Sequence, residues 1–356
     1  MTYPAIDLLI KHHPPLLRKR APWWRAAGSD NVPVHRAVYT PSWNWTTPGR
    51  APLSGLYYTL DVNAAWLAAA SGVEVPHGAL VRQPGGMMPD EVMATTIAPG
   101  YYQIDVQEWG LLCLPSPLGT SSLLREERVW VAHPTLQLLK WLCEVDQECL
   151  WSPPVVHNAY VAERGTKARL RAWTSRVRDD RAAVIDALGT DSADVAQLTH
   201  AYDSIKVGYS QAIQVMLSGK FHEGREGECK APYWRPDWYH MILAQHAAST
   251  WRKAYSAYRI GALPVAMGNV DCMDFSCGDL HTIMVADKPP FRMDRRGKAL
   301  GSLSIKDVYV ITDDGTRVEI PEPIRDATTS GAHRGLKRFT QDIDDVLNSL
   351  RDGLDR

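Results

Sequence analysis

The sequence predicts an α+β fold in which a β-sheet is interrupted by a helical insertion. A strand-like segment near residue 56 runs into an alanine-rich helix, two long helical segments follow at 164–216, and strand-like segments return after residue 262. Strands on both sides of a block of helices can meet in one sheet, and this order of elements is typical of an α+β domain.

The first half of the chain alternates strands and helices. A strand is predicted at Leu56–Leu60, and a helix from about Asn63, which Gly72 ends. The alternating segment 101–109 predicts another strand. Residues 128–145 predict a short strand followed by a helix that opens near Pro134, because proline suits the first helical turn.

The second half begins with the most helical part of the chain. Two helices within 164–216 form a predicted hairpin, and a third is predicted from Pro236 to about Tyr258. A buried strand follows at 262–271. The segment 304–320 predicts a β-hairpin whose turn is Asp314-Gly315.

These elements predict five regions. They are a basic and aromatic N-terminal arm (1–50), the first part of a sheet domain (51–150), a helical insertion (151–232), the second part of the sheet domain (233–325) and a C-terminal amphipathic helix (326–356).

Composition narrows the class of protein. The 356 residues are 45% hydrophobic and 22% charged, as in ordinary globular proteins, and no apolar run reaches the length of a membrane span. The N-terminus has no secretory signal pattern, so we expect a cytoplasmic protein with reduced thiols and no membrane partner. The six cysteines match no zinc-binding spacing. The net charge of −1 argues against a uniformly basic nucleic-acid binder but allows a local positive groove.

Asp61 is the first candidate functional residue. It lies where the first strand passes into a helix, and a carboxylate held on a rigid element there suits a hard cation such as Mg²⁺. The alternative is that Asp61 only caps the helix that follows.

Asn269 and Asp271 are the second candidate pair. They end an apolar strand, and strand alternation would place both on one face. The alternative is a polar turn that closes a hairpin. If the two candidate segments meet in one sheet, Asp61 and Asp271 satisfy the minimal requirement of a two-metal site for phosphoryl transfer.

Taken together, these segments resemble the polymerase core of family B DNA polymerases, in particular the protein-primed branch of phages and linear plasmids. The first palm motif of that branch, Asp-x-x-Ser-Leu-Tyr-Pro, is similar to Asp61-Val-Asn-Ala-Ala-Trp66-Leu here. The third motif, Asp-Thr-Asp-Ser after an apolar strand, is similar to Asn269-Val-Asp271-Cys272. The resemblance covers roughly residues 50–310 and implies a palm sheet interrupted by a helical fingers insertion.

The fingers motif of the family is a helix with Lys, then Asn-Ser-x-Tyr-Gly, often followed by Lys-Phe. Here the segment runs from Gln211 to Ser218-Gly219-Lys220-Phe. Gln211 therefore stands where the family has Lys, which Lys206 would replace, and the Tyr-Gly pair is Ser218-Gly219. In the third motif Asn269 replaces the first Asp, whereas the two principal metal ligands match Asp61 and Asp271.

The resemblance implies a role for each matching residue. Asp61 and Asp271 would be catalytic and would hold Mg²⁺ or Mn²⁺ together with Asn269. Trp66 would lie under the incoming sugar, although core packing explains it equally well. Lys206 and Gln211 would bind the triphosphate, and Lys220 and Lys306 the DNA. Independently of the resemblance, the run of cations that includes Arg171 and Arg176 suits a triphosphate, and the basic and aromatic cluster with Arg18, Lys19 and Arg20 suits a nucleic-acid backbone. That basic cluster has an alternative as a solvated arm whose tryptophans pack on the domain.

Two functions remain open at this point. The first is a compact family-B-like DNA polymerase without an exonuclease domain, with primer-template DNA, dNTPs and a priming terminal protein as its partners. The second is a catalytically degenerate, polymerase-derived replication or telomere protein that binds DNA, which Asn269 and Gln211 favour. A metal-dependent nuclease built on the same carboxylates is a third interpretation.

Overall fold

The computed structural model describes residues 38–48, 54–77, 80–83, 85–120, 127–145, 150–162, 164–166, 168–188, 195–217, 235–294 and 297–320. These ranges contain 13 strands and seven helices. The predicted mixture of α and β structure is therefore confirmed. In the part of the chain so described, no helix combines the length and the apolar character needed to cross a membrane.

The main sheet of the described residues has six antiparallel strands, in the order β13-β12-β3-β11-β10-β2. Its strands are β2 (Trp43–Thr46), β3 (Gly55–Val62), β10 (Pro264–Asn269), β11 (Cys272–Ser276), β12 (Leu303–Ile311) and β13 (Arg317–Glu319). Strands from both ends of the described chain thus meet in one sheet, which is the arrangement that the two candidate segments require.

A second sheet has five strands in the order β1-β7-β6-β8-β5, and a two-stranded sheet pairs β4 with β9. The strands are β1 (Val38–Tyr39), β4 (Val75–His77), β5 (Val81–Gln83), β6 (Gly100–Asp105), β7 (Arg128–Ala132), β8 (Val156–Val161) and β9 (Arg164–Thr166). The helices are α1 (Ala65–Gly72), α2 (Pro89–Ala94), α3 (His133–Val145), α4 (Ala168–Leu188), α5 (Val195–Leu217), α6 (Pro236–Tyr258) and α7 (Cys277–Val285).

Helix α6 connects the two main hydrophobic cores. Its N-terminal half places Trp238 in a core shared with α1, α4 and α5, and its C-terminal half places Trp251 in the core beneath the six-stranded sheet. Both indoles are fully buried. Because one helix packs in both cores, the sheet and the helical hairpin α4–α5 are held on a common support.

Alternation along β3 decides which residues reach the site. Tyr58, Leu60 and Val62 are buried in the core beneath the sheet. Since neighbouring residues of a strand point to opposite faces, Asp61 lies on the other face, which we call the polar face. Cys272 and Asp274 of β11 alternate with buried Met273 in the same way.

Several predicted boundaries differ from the observed ones. The predicted arm 1–50 contributes β2 to the edge of the main sheet, and the region 151–232 begins with β8 and β9, so its helices start only at Ala168. Helix α6 has the predicted bounds, and the predicted hairpin turn lies at Gly315 with φ 81°. The predicted C-terminal helix lies outside the described residues.

Candidate active site

Asp61 and Asp271 lie side by side at the end of the main sheet. Asp61 pairs with Cys272 in the register of β3 and β11, and Asp271 is in the turn that enters β11. The backbone N–H of Val62 donates to the Asp271 carbonyl at 3.1 Å. A carboxylate oxygen of each aspartate and Sγ of Cys272 all lie within 4.8 Å of one another. The structure therefore brings together the two carboxylates that the sequence singled out.

The helix-cap interpretation of Asp61 is wrong. The N-cap of α1 is Ala64, whose side chain makes no capping hydrogen bond, and Asp61 belongs to β3. Ala64 has φ 46° and ψ 49°, the left-handed conformation that an alanine adopts only at a cost. Asp61 is consequently held by the sheet and projects from the polar face.

The segment 269–271 is a hairpin turn and a candidate site at once. Strand β10 ends at Asn269, so the prediction that Asn269 and Asp271 share a strand face is wrong. Asn269 is exposed and has φ 53°. Among the described residues, Ala64 and Asn269 are the non-glycine residues with positive φ. Asparagine adopts this conformation at little cost, whereas alanine does not. The backbone strain at Ala64 is three positions from the candidate carboxylate Asp61, and strain of this kind is concentrated at functional sites.

Asn63 fixes the end of β3. Its side-chain amide donates to Ser302 Oγ at 3.0 Å and to the Asp294 carbonyl at 3.3 Å, and its Oδ1 accepts from Ser304 Oγ at 2.9 Å. Its backbone N–H also donates to the Ser302 carbonyl at 2.8 Å. This network attaches the strand end to the loop before β12 and so restricts the position of Asp61.

Lys306 is the positive group closest to Asp61 in the described contacts. It lies at a β-bulge in β12, where the register with β3 shifts, and a bulge of this kind redirects a side chain. Its Nζ is 4.0 Å from Asp61 Oδ2 and 3.5 Å from Cys272 Sγ. The Asp61 carboxylate raises the pKa of Lys306, which therefore stays charged.

The helical hairpin also reaches the site. Lys206 is exposed on α5. Its charge acts on Asp61 and offsets a small part of the rise in pKa that burial and Asp271 cause there. Tyr209 lies one turn further along α5 and is buried, which raises its pKa to about 12. The charges of Asp61 and Arg181 both act on the Tyr209 phenol. The spacing of three residues places Lys206 and Tyr209 on one helical face, a signal that sequence analysis could have used.

Arg181 links α4 to the loop beside the site. It is 3% exposed, donates to the Lys298 carbonyl at 3.4 Å and donates to the Tyr202 hydroxyl at 3.2 Å. The predicted cations Arg171 and Arg176 are exposed on the same helix. Sequence analysis missed Arg181, because nothing in the sequence distinguishes one arginine of α4 from its neighbours.

Helix α6 contributes a buried histidine on which the charges of Asp271 and Lys253 act. His246 is 3% exposed, and its burial lowers its pKa to about 4 although Asp271 acts in the opposite direction. Lys253 lies two turns later, and burial lowers its pKa to about 8. The predicted helix included His246 only as part of an apolar pattern, so the sequence contained no signal for this position.

The remaining predicted site residues are Trp66, Gln211, Lys220 and the basic cluster, and the structure describes the surroundings of the first two. Trp66 is half-buried and packs against Tyr239 with the ring centroids 5.8 Å apart, as its core-packing alternative requires. Gln211 is half-buried, and its Oε1 has no hydrogen-bond partner in the part of the chain that the structure describes. Lys220 and the basic cluster Arg18, Lys19 and Arg20 lie outside the described residues.

The electrostatics of the two carboxylates favour a cation. Burial, and secondly the charge of Asp271, raise the pKa of Asp61. Burial and both aspartates raise the pKa of Cys272 to about 12. Carboxylate oxygens are the ligands that Mg²⁺ and Mn²⁺ prefer, so the donor set fits such an ion, and the thiol adds a softer ligand.

Without divalent metal, Asp61→Asn is expected to stabilise the fold. Because the pKa of Asp61 is raised on folding, the stability that this carboxyl contributes is greatest below its unfolded pKa and is lost as pH rises through its folded pKa. Removing the charge at pH 7 should raise the thermal midpoint by about 2 °C in EDTA. Differential scanning calorimetry measures this change.

Asp274→Asn is the matched control for this stability change. Its carboxylate is on the same face, and burial raises its pKa as well. It accepts a hydrogen bond from the Tyr309 hydroxyl at 2.9 Å and is attracted by Arg317, and losing these two interactions offsets the gain, so its replacement should give no rise. Mg²⁺ should raise the midpoint of the wild type more than that of the Asp61→Asn variant. A lower midpoint of Asp61→Asn in EDTA would contradict the predicted repulsion.

The fold is similar to that of phi29 DNA polymerase. The structure of that enzyme with single-stranded DNA matches with a TM-score of 0.51 and 12% identity, over 90% of this chain and 56% of that chain. Its post-translocation binary complex with primer-template DNA matches with a TM-score of 0.49 and 14% identity, over 81% of this chain and 52% of that chain. The chain thus spans about half the length of the solved structures it matches.

At this identity the comparison shows a shared fold. No protein-family model matches the sequence. No curated protein matches it either. The class that the structure defines is therefore a mixed α and β protein with the fold of a phi29-type polymerase and a cluster of two carboxylates and a thiol on its main sheet.

Proposed function

We propose that this protein is a compact DNA polymerase of family B type, which joins nucleotides to a 3′ or protein hydroxyl. The observation that supports the proposal best is the meeting of Asp61 and Asp271 on the polar face. In the proposed reaction the hydroxyl forms a bond to the α-phosphate, the bond to the β-phosphate breaks, and pyrophosphate leaves.

Asp61 and Asp271 would hold the divalent ions of this reaction, and Asn269 would contribute an amide oxygen in place of the carboxylate that the family has there. When bound, Mg²⁺ or Mn²⁺ supplies Lewis-acid activation of the phosphoryl group and of the attacking hydroxyl. The residues of the site fit this role, because two carboxylates lie beside the half-buried Cys272 thiol, whose pKa is raised by burial and by the charges of both carboxylates.

The cations of this chain would bind the phosphates. Lys306 has a side chain that is 55% exposed and remains charged beside Asp61, so it can contact a primer or a phosphate on the polar face. Lys206 approaches from α5, the helix that we propose as part of the fingers. Arg171 and Arg176 would extend this positive region along α4. Fixed charges of this kind stabilise the charge that develops in phosphoryl transfer.

DNA and dNTPs are the proposed partners, with a priming terminal protein as a further one. The fold supports DNA as a partner, since the phi29 polymerase structure that it resembles holds single-stranded DNA. We propose that the six-stranded sheet corresponds to the palm and the hairpin α4–α5 to the fingers.

A second candidate function is DNA binding without catalysis. Two observations favour it specifically. Asn269 brings no negative charge to the site, and Gln211 buries a side-chain oxygen that lacks a partner among the described residues, at the position where the family has a lysine. A nuclease built on Asp61 and Asp271 would use the same metals to hydrolyse DNA. Its product, a shortened strand, distinguishes it from both the polymerase and the DNA-binding protein.

Primer extension across a Mg²⁺ and Mn²⁺ titration tests the proposal, with Asn269→Asp as the informative variant. Asparagine and aspartate both tolerate the positive φ of this position, so the exchange adds charge with little backbone cost. For a weak polymerase, Asn269→Asp should raise the extension rate or lower the metal requirement by about tenfold, the equivalent of about 1.4 kcal/mol.

Two controls distinguish the outcomes of this experiment. Asp271→Ala should abolish extension in both backgrounds. DNA binding should weaken as salt rises, because phosphate contacts release counterions. Salt-dependent binding without extension by any variant would replace the polymerase proposal with the binding function. Shortening of the primer in place of extension would indicate the nuclease.

A further inference from the structure

The thiol of Cys272 occupies an unusual position between the two carboxylates. Its Sγ lies 3.6 Å from Asp61 Oδ1 and 3.6 Å from Asp271 Oδ1. Cys272 reaches this position because it pairs directly with Asp61 across β3 and β11 and follows Asp271 in the chain. The site therefore presents two oxygens and one sulfur from three residues at the same end of two neighbouring strands.

We infer that Cys272 makes this site a binding site for thiophilic divalent cations, of which Zn²⁺, Co²⁺ and Cd²⁺ are representatives, with Asp61, Asp271 and Cys272 as the three protein ligands. The inference rests on the metal-binding part of the proposed function and is independent of catalysis. The inference specifies a class of cation, because two carboxylates without the thiol would not favour thiophilic ions over Mg²⁺.

The distances agree with tetrahedral coordination of one ion. With a zinc–sulfur bond of about 2.3 Å and a zinc–oxygen bond of about 2.1 Å, the tetrahedral angle gives a sulfur–oxygen separation of about 3.6 Å. Both sulfur–oxygen separations at the site, across which the thiol faces the carboxylates as a hydrogen-bond donor, have this value. An ion that replaces the thiol proton would therefore require little movement of these ligand atoms. An ion at the centre of this group would leave its fourth position open to water or to a phosphate oxygen.

Ligand chemistry explains why the thiol matters. Mg²⁺ prefers oxygen ligands and an octahedral shell with several waters, so it gains nothing from sulfur. Zn²⁺, Co²⁺ and Cd²⁺ bind thiolate strongly. On binding, the sulfur–metal bond forms and the thiol proton passes to solvent, one proton for each ion.

A buried histidine on which the charge of Asp271 acts provides a separate observation. His246 is 3% exposed, its Nε2 has no hydrogen-bond partner among the described residues, and the charge of Asp271 acts on it. Ligating carboxylates are usually oriented by a hydrogen-bonding group in the outer shell. The Nδ1 of His246 lies 3.5 Å from Thr250 Oγ1, and its Nε2 is available for that role. When the site holds a metal ion, the Nε2 atom of His246 would thus serve to orient a ligand, whereas no other described contact involves this atom.

A Co²⁺ titration of the full chain tests the inference. Coordination by Cys272 should produce a thiolate-to-cobalt charge-transfer band in the near ultraviolet, which excess Mg²⁺ displaces poorly. Cys272→Ser should remove the band. Loss of an outer-shell partner already weakens metal binding by about 10–100-fold, so loss of the thiol should weaken it by no less.

Cys277→Ser is the matched control, because its thiol is half-buried at the start of α7. This variant should keep the band. Circular dichroism of each variant checks the fold, and Asp61→Asn, which retains the thiol, should also weaken Co²⁺ binding. A band that is absent from the wild type, or equally strong in Cys272→Ser, would overturn the inference.

The two proposals fail in distinguishable ways. If the band depends on Cys272 but no variant extends a primer, the thiophilic site stands and the polymerase proposal is lost. If primers are extended with Mg²⁺ but Co²⁺ gives no such band, the polymerase proposal stands and the thiophilic site is lost.

Discussion

Replacing Asp271 with asparagine should reduce the proposed metal-dependent nucleotide incorporation by at least about 10³-fold. The amide keeps the shape of the side chain but removes the charge that faces Asp61 and the metal. Metal ions at such sites contribute several kcal/mol of transition-state stabilisation, and each 1.36 kcal/mol corresponds to about tenfold in rate. The measurement is single-turnover primer extension at saturating Mn²⁺.

Asp274→Asn provides the control for this activity measurement. Asp274 is in β11 two residues after Cys272 and on the same face, but its carboxylate accepts from the Tyr309 hydroxyl and is not part of the metal-ligating group. We expect this variant to retain activity within about threefold, a change of well under 1.36 kcal/mol. Undiminished incorporation by Asp271→Asn would show that Asp271 is not a catalytic ligand.

Replacing Asp237 with alanine should lower the free energy of unfolding by about 3–5 kcal/mol. Asp237 and Arg235 form an ion pair at the start of α6, with Nη2 and Oδ2 2.6 Å apart and side chains 0% and 6% exposed. The Arg235 guanidinium also lies over the Trp238 ring, 4.4 Å from its centroid. Removing the carboxylate leaves a buried charge at the point where α6 enters the helical core.

Equilibrium unfolding in urea measures this loss of stability. Asp186→Ala is the control, because its ion pair with Lys298 has side chains 51% and 45% exposed, and such pairs contribute about 0–1 kcal/mol. Similar losses in the two variants would show that burial does not determine the strength of the Arg235–Asp237 pair.

Local sequence patterns determined most of the elements around the site. The alternation Leu-Tyr-Tyr-Thr-Leu predicted β3, because period-two alternation matches a strand with one buried face. The proline at the start of α6 and the length of its amphipathic pattern predicted that helix with its observed bounds. The ends of strands and helices were predicted less well where tertiary contacts decide them. Strand β2 is an example, because no local sequence pattern predicts its pairing with β10.

Some residues of the candidate site could likewise be predicted from local sequence patterns, and others could not. The sequence identified Asp61 and Asp271, because each carboxylate is at the end of a strand-like segment. It missed Cys272, Tyr209, His246 and Arg181, which approach the site only through strand register and helix packing. Cys272 adjoins Asp271 in the chain, but its opposition to Asp61 depends on the pairing of β3 with β11.

The sequence by itself determined the class of fold, the strand that holds Asp61 and the long helix α6, since these follow from local periodicity and proline placement. Only the tertiary structure decided that Asp61, Asp271 and Cys272 form one group, and that Lys306 turns toward it. The physical reason is that the pairing of strands distant in the chain depends on how their buried faces pack on α6, and that packing is a property of the whole core.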